Sequence, residues 1–190
     1  MNKVFLDDGH GAATAGKRTP TLPGGSVTKE NDFNRKVINC LEEKLKADKR
    51  FLPTQIAPEL EDIPLATRVI RANQQHDSTA ILVSVHYNAL NGVLGEQGGV
   101  EILHSGSQSS QRLAKCIHTQ VIKNTSQKDR GVKFQELYLL KNTKMPAVLC
   151  ELGFMDNLTE AHLMTSETFI KECAEEIYLG ILDYYNLGGK

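Results

Sequence analysis

The most apolar run of the chain stands in Ile81-Leu82-Val83-Ser84-Val85-His86-Tyr87-Asn88, which ends in polar residues. A continuous apolar run of this kind, beginning here at Ala80, is typical of a strand in a sheet covered on both faces. Shorter apolar runs stand at Lys3–Leu6 and Ala147–Cys150, and segments with helical spacing separate the three. Strands that alternate with helices predict an α/β sandwich.

The other predicted elements lie on both sides of this strand along the chain. Further strands are expected at Lys3–Leu6, Gln55–Ala57, Gly99–His104, Leu137–Leu140 and Ala147–Cys150. Helices are expected at Glu30–Ala47, from Pro64 to Asn73, around Leu113, Ile117 and Val121, and at Phe169–Tyr185. The chain shows no repeat or linker, so we predict one α/β domain over residues 1–190. Its architecture should be a three-layer sandwich, with a twisted, mostly parallel or mixed central sheet of about six strands flanked by helices.

The composition excludes several classes of protein. A net charge of −1 over 190 residues provides no strong field for nucleic acid or acidic lipid, so we expect neither a nucleic-acid nor a membrane partner. No run approaches the ~20 apolar residues of a membrane helix. Asp7 and Asp8 interrupt the first apolar run before it resembles a signal peptide. The four cysteines are widely spaced, which argues against a disulfide framework or a cysteine zinc site.

Four residues that can carry chemistry follow apolar strands or open a helix. His10 follows the first strand, His86 ends the most apolar strand, Glu151 follows the last strand, and Glu30 opens the first helix. Sites in α/β sheets form beyond the carboxyl ends of the strands, so these side chains can converge at one edge. Two histidines and a glutamate suit one zinc ion with open positions, and a further glutamate can take a proton from water. This set is typical of a metal-dependent hydrolase.

Each of these residues, taken alone, has an ordinary structural explanation. A loop histidine such as His10 can be capped by a backbone group, and His86 can be a hydrogen-bonded core residue. Glu30 suits a first helical turn because of the helix dipole. Glu151 can form a salt bridge with an arginine such as Arg68 or Arg130. Only their combination favours a metal site. Among the remaining acidic and histidine residues, Glu101 is interpreted as structural and His104 as a spare ligand.

With these segments side by side, the chain resembles the zinc-dependent N-acetylmuramoyl-L-alanine amidases of the Amidase_3 type. Six motifs in order carry the resemblance over nearly the whole chain: Asp7-Asp8-Gly9-His10-Gly11, the lone Glu30, Ser84-Val85-His86-Tyr87-Asn88-Ala89, Gly98-Gly99-Val100-Glu101, Arg130-Gly131-Val132-Lys133, and Pro146 to Asn157. One departure is Asp8, which replaces the usual proline. A second is the short segment between His86 and Gly98, where regulated relatives insert a blocking helix, so this chain is expected to be constitutively open.

The resemblance implies one Zn²⁺ per chain, held by His10, Glu30 and His86, with Glu151 as the catalytic base. It implies hydrolysis of the amide between the lactyl group of N-acetylmuramic acid and the L-alanine of the peptidoglycan stem. It also suggests three substrate contacts: Asn88, Arg68 and Lys133. The partner would be peptidoglycan, and we expect a catalytic domain without a separate cell-wall-binding domain. We expect a monomer that acts on the cell wall. It would reach the wall through phage lysis or through secretion, or with a signal peptide that has been removed from this sequence.

Two other functions stay open on the sequence alone. The first is a different zinc hydrolase, a peptidase that cuts within the stem peptide, because the same metal chemistry would serve it. The second is a non-catalytic wall-binding module with a degenerate site. The presence of all four presumed functional residues argues against a degenerate site.

Overall fold

The apolar run at 81–88 lies in the middle of the sheet, as its sequence predicts. The protein is described by a computed structural model over residues 1–188; residues 189 and 190, which the predicted domain includes, lie outside the described part. The strands are β1 (Asn2–Asp7), β2 (Phe51–Gln55), β3 (Ile81–Asn88), β4 (Val100–His104), β5 (Asp129–Phe134) and β6 (Ala147–Phe154). The helices are α1 (Glu30–Ala47), α2 (Leu65–Gln74), α3 (Gln108–Asn124), α4 (Tyr138–Asn142), α5 (Leu158–Leu163) and α6 (Glu167–Tyr184).

The six strands form one mixed sheet in the order β2-β1-β3-β6-β4-β5. Strands β2, β1, β3 and β6 are parallel to one another, whereas β4 runs antiparallel to β6 and pairs in parallel with β5. The carboxyl ends of the four parallel strands therefore share one edge of the sheet, and β4 begins at that edge. The predicted mixed sheet of six strands is confirmed.

Alternate residues of the strands pack into two separate apolar cores, because side chains alternate between the faces of a sheet. Val4 of β1 and Val83 of β3 belong to the larger core, which α1, α3 and α6 cover. Phe5 and Leu82 belong to the smaller core, which α2 and α4 cover. The three predicted layers are therefore present. None of the described helices combines the length and the apolarity that crossing a membrane requires.

Helix α1 has the bounds that its apolar spacing predicts. The residues buried on its inner face include Phe33, Val37, Ile38, Leu41 and Leu45. Glu30 and Asp32 stand in the first turn and Lys44 and Lys46 in the last, where the helix dipole favours each charge. The backbone N–H of Glu30 donates to the carbonyl oxygen of Lys17 at 3.0 Å, which joins the start of the helix to the preceding loop.

Three elements differ from the prediction. The segment Leu137–Leu140, predicted as a strand, instead leads into the short helix α4, because a four-residue apolar run suits either structure. The strand predicted at Gln55–Ala57 lies earlier, at Phe51–Gln55, and contains a proline that only an edge strand tolerates. Strand β5 was not predicted, because its partly exposed, polar residues lie at the other edge and show no apolar alternation.

Candidate active site

His86 and Glu151, the two predicted site residues that belong to strands, lie on the same face of the sheet near the carboxyl ends of the parallel strands. Because side chains alternate, His86 shares a face with Leu82, and Glu151 shares it with Leu149. This is the face that α2 and α4 cover. A cavity of about 460 Å³ lies between these helices and the strand ends, and both His10 and His86 line it.

The loop after β1 is held in the conformation that presents His10. His10 and Gly9 both adopt left-handed backbone angles, with φ of 58° and 50°. Asn31 in the first turn of α1 donates from its side-chain amide to the carbonyl oxygens of Gly9 at 2.8 Å and Asp8 at 3.2 Å. The Arg68 guanidinium donates to the carbonyl oxygen of His10 at 2.7 Å. The two side chains compensate for the strain of a non-glycine residue at positive φ.

A buried ion pair supports this loop from within the protein. Arg68 and Asp7 are both almost fully buried and lie 2.6 Å apart, and the Ser84 hydroxyl donates to the same Asp7 carboxylate at 2.5 Å. Charges so deeply buried require such partners. Asp8, which replaces the proline expected from the resemblance, pairs with Arg35 at 3.1 Å. The loop is therefore anchored by ion pairs at both Asp7 and Asp8.

His10, Glu30 and His86 meet at the edge of the sheet. One potential ligand atom from each lies within 4.8 Å of the other two. His86 Nδ1 lies 2.8 Å from Glu30 Oε1, and His10 Nε2 lies 3.3 Å from Glu30 Oε2. The two imidazole rings stand edge to face with their centroids 4.8 Å apart. The structure thus brings together the three residues predicted as metal ligands.

The atoms left unsatisfied in this group fit a zinc ion. His10 Nε2 and Glu30 Oε2 are buried and have no hydrogen-bond partner in the described part of the chain. Buried polar atoms are normally paired, so two such atoms side by side point to a ligand. Two histidines and one carboxylate are a donor set that zinc accepts in catalytic sites, with a position left open.

The charges in the group keep Glu30 in the form that can bind a metal. Burial opposes ionisation of the Glu30 carboxyl, but its contacts with His10 and His86 outweigh burial and hold its pKa well below the usual range. Burial likewise opposes protonation of His86, but the hydrogen bond to Glu30 prevails and raises the His86 pKa. Because a metal must displace ligand protons, its binding to this group should weaken as the pH falls.

Glu151 lies beside the three presumed ligands. On β6 it stands in register with His86 of β3 on one side and with Glu101 of β4 on the other. Its Oε2 atom is buried without a hydrogen-bond partner among the described residues. Burial raises the pKa of Glu151 to about 7. A carboxyl group with a pKa near neutrality can both accept and release a proton, which suits a general acid–base residue.

The alternative of a salt bridge between Glu151 and an arginine is wrong. Arg68 pairs with Asp7, and Arg130 donates to Glu101 at 3.0 Å. The Glu151 carboxyl instead lines a cavity together with Glu30 and His86, so a structural ion pair with these arginines does not explain its burial.

A family model described as N-acetylmuramoyl-L-alanine amidase matches residues 4–183. The chain belongs to the Amidase_3 family. It is 31% identical over 187 residues to the uncharacterised protein YqiI of Bacillus subtilis (strain 168), an alignment that covers 96% of this chain and 84% of the relative. It is 33% identical over 193 residues to the endolysin of Bacillus phage SPP1, with 98% and 67% covered. The crystal structure of the N-acetylmuramoyl-L-alanine amidase from Clostridium difficile 630 matches with a TM-score of 0.88 at 28% identity, covering 99% of this chain and 98% of that one.

The residues predicted to contact substrate have different surroundings in this Amidase_3 chain. All three guanidinium nitrogens of Arg68 donate to groups within the chain, so Arg68 supports the His10 loop. Asn88 lines a second, smaller cavity that also contains Glu151. Lys133 is half exposed and pairs with Glu101 at 2.5 Å. Contact between any of the three and substrate stays a prediction.

Glu101 lies closer to the Amidase_3 site than its sequence context indicated. It is buried opposite Glu151, and its carboxylate accepts hydrogen bonds from Asn88, Arg130 and Lys133. Burial opposes ionisation of Glu101, but the two cations outweigh burial and lower its pKa. The sequence does contain a signal of this position, because Glu101 stands between Val100 and Ile102 in a strand, and burying a carboxylate there costs free energy unless it has partners. His104, interpreted as a spare ligand, lies at the other end of β4, in register with Val148, away from the site.

Proposed function

We propose that the protein hydrolyses the amide between the lactyl group of N-acetylmuramic acid and the L-alanine of the peptidoglycan stem, with one zinc ion. Membership of the Amidase_3 family supports the reaction. The observation that carries the zinc assignment is the convergence of His10, Glu30 and His86 within 4.8 Å, with two buried ligand atoms left unpaired. Because this substrate is peptidoglycan, the protein would act on the cell wall. A monomer remains the expectation.

In this mechanism the chain's own residues orient the reactants and move one proton. A bound zinc ion acts as a Lewis acid, which polarises a carbonyl oxygen and makes water a nucleophile near neutral pH. Glu151 accepts the proton of the attacking water as the new C–O bond forms at the lactyl carbonyl. It then delivers that proton to the L-alanine nitrogen as the C–N bond breaks. The Asp7–Arg68 pair holds the His10 loop in place throughout.

The reaction is tested with purified peptidoglycan. The protein is incubated with chelator and then with added zinc, and the new amino termini are identified by mass spectrometry. We expect L-alanine amines that appear only with zinc, together with free lactyl carboxylates on the sugar. A zinc-dependent cut elsewhere in the stem would identify a peptidase. Sedimentation with the wall but no released fragments would identify a binding module.

Two substitutions test the roles within the site. Glu151→Ala should retain zinc and lose turnover, because it removes the proton carrier and leaves the three presumed ligands. His86→Ala should lose zinc itself, measured by metal analysis after gel filtration. Full activity of Glu151→Ala, or a full zinc complement in His86→Ala, would contradict the assignment of that residue.

A further inference from the structure

Two cavities of opposite character flank the presumed metal ligands. The larger cavity, of about 460 Å³, is mostly apolar, and Ile63, Leu65 and Tyr138 are among the residues that line it. The smaller cavity, of about 210 Å³, is lined by more polar groups, among them Lys17 and Asn88. His86 borders both cavities. A linear substrate with its reacting bond at His86 would therefore extend into both.

The position of Glu151 indicates which half of the substrate occupies which cavity. Glu151 lines the smaller cavity and not the larger one. In amide hydrolysis the group that accepts the proton of water must later reach the departing nitrogen within hydrogen-bond distance. The amine half of the substrate therefore lies on the side of Glu151. The acyl half, which includes the lactyl group and its sugar, is left with the larger cavity beside His10.

The side chains on each side agree with this direction. Tyr138 is half exposed at the start of α4, and the next two residues, Leu139 and Leu140, are buried and fix the helix. A rigid, partly exposed aromatic ring in an apolar cavity offers a flat surface to the C–H face of a sugar. On the other side the ammonium of Lys17 has no salt bridge to any residue in 1–188.

We propose that Tyr138 and Lys17 are specificity-determining residues on opposite sides of the scissile amide. Tyr138 packs against the muramyl sugar ring in the larger cavity. Lys17 binds the free carboxylate of the acidic residue that follows L-alanine in the stem. This assignment rests on the proposed function, because it takes the muramyl–alanine amide as the bond that is cut.

The sugar side is tested with two substrates, a muramyl-peptide and the same peptide carrying only a D-lactyl group. In Tyr138→Ala, the ratio of kcat/KM for the muramyl-peptide to kcat/KM for the lactyl-peptide should fall about tenfold. Tyr138→Phe keeps the ring and should keep the ratio. Phe134→Ala is the matched control, because Phe134 is an exposed aromatic residue that does not line the cavity. Binding of N-acetylmuramic acid, followed by ligand-observed NMR, should weaken in Tyr138→Ala and not in Phe134→Ala.

The stem side is tested with muramyl-peptides whose second residue carries either the free carboxylate or its amide. Wild type should prefer the carboxylate, and Lys17→Met should lower this preference about three- to fivefold, the upper part of the range for one exposed ion pair. Lys49→Met, an exposed lysine far from the site, is the control.

The outcomes distinguish a failure of the proposed function from a failure of the Tyr138 or Lys17 assignment. If wild type releases no L-alanine amine from the muramyl-peptide, the proposed function fails and this inference falls with it. If wild type cuts the amide but both Tyr138 variants and their control keep the same ratio, only the sugar assignment is overturned. If Lys17→Met leaves the preference for the carboxylate unchanged, the stem assignment is overturned. Melting temperatures of all variants identify any that fail to fold.

Discussion

Replacing Gly9 by alanine should weaken zinc binding without replacing any presumed ligand. A Cβ atom at residue 9 would lie 2.5 Å from His86 Cε1, 2.6 Å from His86 Nε2 and 2.9 Å from the Val85 carbonyl oxygen. Ordinary contact begins at 3.4 Å, so the imidazole would have to withdraw by about 0.9 Å, the difference between 3.4 and 2.5 Å. Metal–ligand distances tolerate changes of only ~0.2 Å.

The expected loss of zinc affinity in Gly9→Ala is therefore about 100-fold or more, the upper end of the range for disturbing residues that only orient a ligand. The left-handed backbone at this residue adds a strain of about 1–2 kcal/mol to the folded state. Zinc affinity is measured by competition with a chromophoric chelator, and stability by urea denaturation without metal. The two measurements separate displacement of His86 from backbone strain.

Gly25→Ala is the matched control for Gly9→Ala. Gly25 also has positive φ, at 85°, but a Cβ atom there meets nothing within 4 Å. The control should lose stability through strain alone and keep its zinc affinity. Zinc affinity of Gly9→Ala within threefold of wild type would refute the argument, because it would mean that His86 does not need its present position. An equal loss in both variants would assign the effect to strain.

Three further substitutions have defined outcomes. Glu151→Gln should keep its zinc and lower kcat by about 10²–10⁴, the usual contribution of a general acid–base residue, measured with muramyl-peptide. Arg68→Met should lower the free energy of unfolding by about 3–5 kcal/mol, because it leaves the Asp7 carboxylate buried without its cation, as urea denaturation will show. Glu176→Gln should stabilise the protein at pH 8 and not at pH 4. Burial and then the nearby Glu172 raise the folded-state pKa of Glu176 to about 7, so the stability that its protonated form provides is lost as the pH rises from about 4.5 through 7. The gain at pH 8 is at most about 3 kcal/mol, measured by denaturation at both pH values.

Each of these outcomes can fail in a distinct way. Turnover of Glu151→Gln near the wild-type rate would mean that another group carries the proton. A fully stable Arg68→Met would show that Asp7 finds a second partner. A Glu176→Gln variant with the same stability difference from wild type at both pH values would show that the Glu176 carboxyl titrates normally.

The buried parallel strands were predictable from strong local signals, and the four candidate site residues were predictable from their combination at the strand ends and at the start of α1. The buried parallel strands are continuous apolar runs, and their carboxyl ends must share an edge, so His86 and Glu151 were expected to meet. Helix α1 was equally clear, since its apolar spacing from Phe33 to Leu45 extends over more than three turns. The sequence predicted a residue's position correctly where that position follows from the strand or helix that contains it.

The remaining features depend on contacts between distant segments. Strand β5 lies at an edge of the sheet, where it pairs with β4, and its mostly polar sequence shows no local strand pattern. The His10 loop is supported by Asn31, which is 22 positions from its partner Gly9, and by Arg68, which is 58 positions from His10. Glu101 lies near the site and His104 away from it because β4 runs antiparallel to β6, which puts the first residues of β4, and not its last, at the site.

The place of β6 in the sheet has a consequence for how activity arises as the chain is made. This strand is the last in sequence, yet it lies between β3 and β4 in the middle of the sheet. Until it inserts, β3 has an open edge, and domains are vulnerable to misassembly while such edges are exposed. The three presumed metal ligands are synthesised within the first 86 residues, whereas Glu151 arrives with β6. If the proposed mechanism is right, hydrolytic competence requires this final strand, because β6 completes the sheet and brings Glu151, the proposed proton carrier, to the presumed metal ligands.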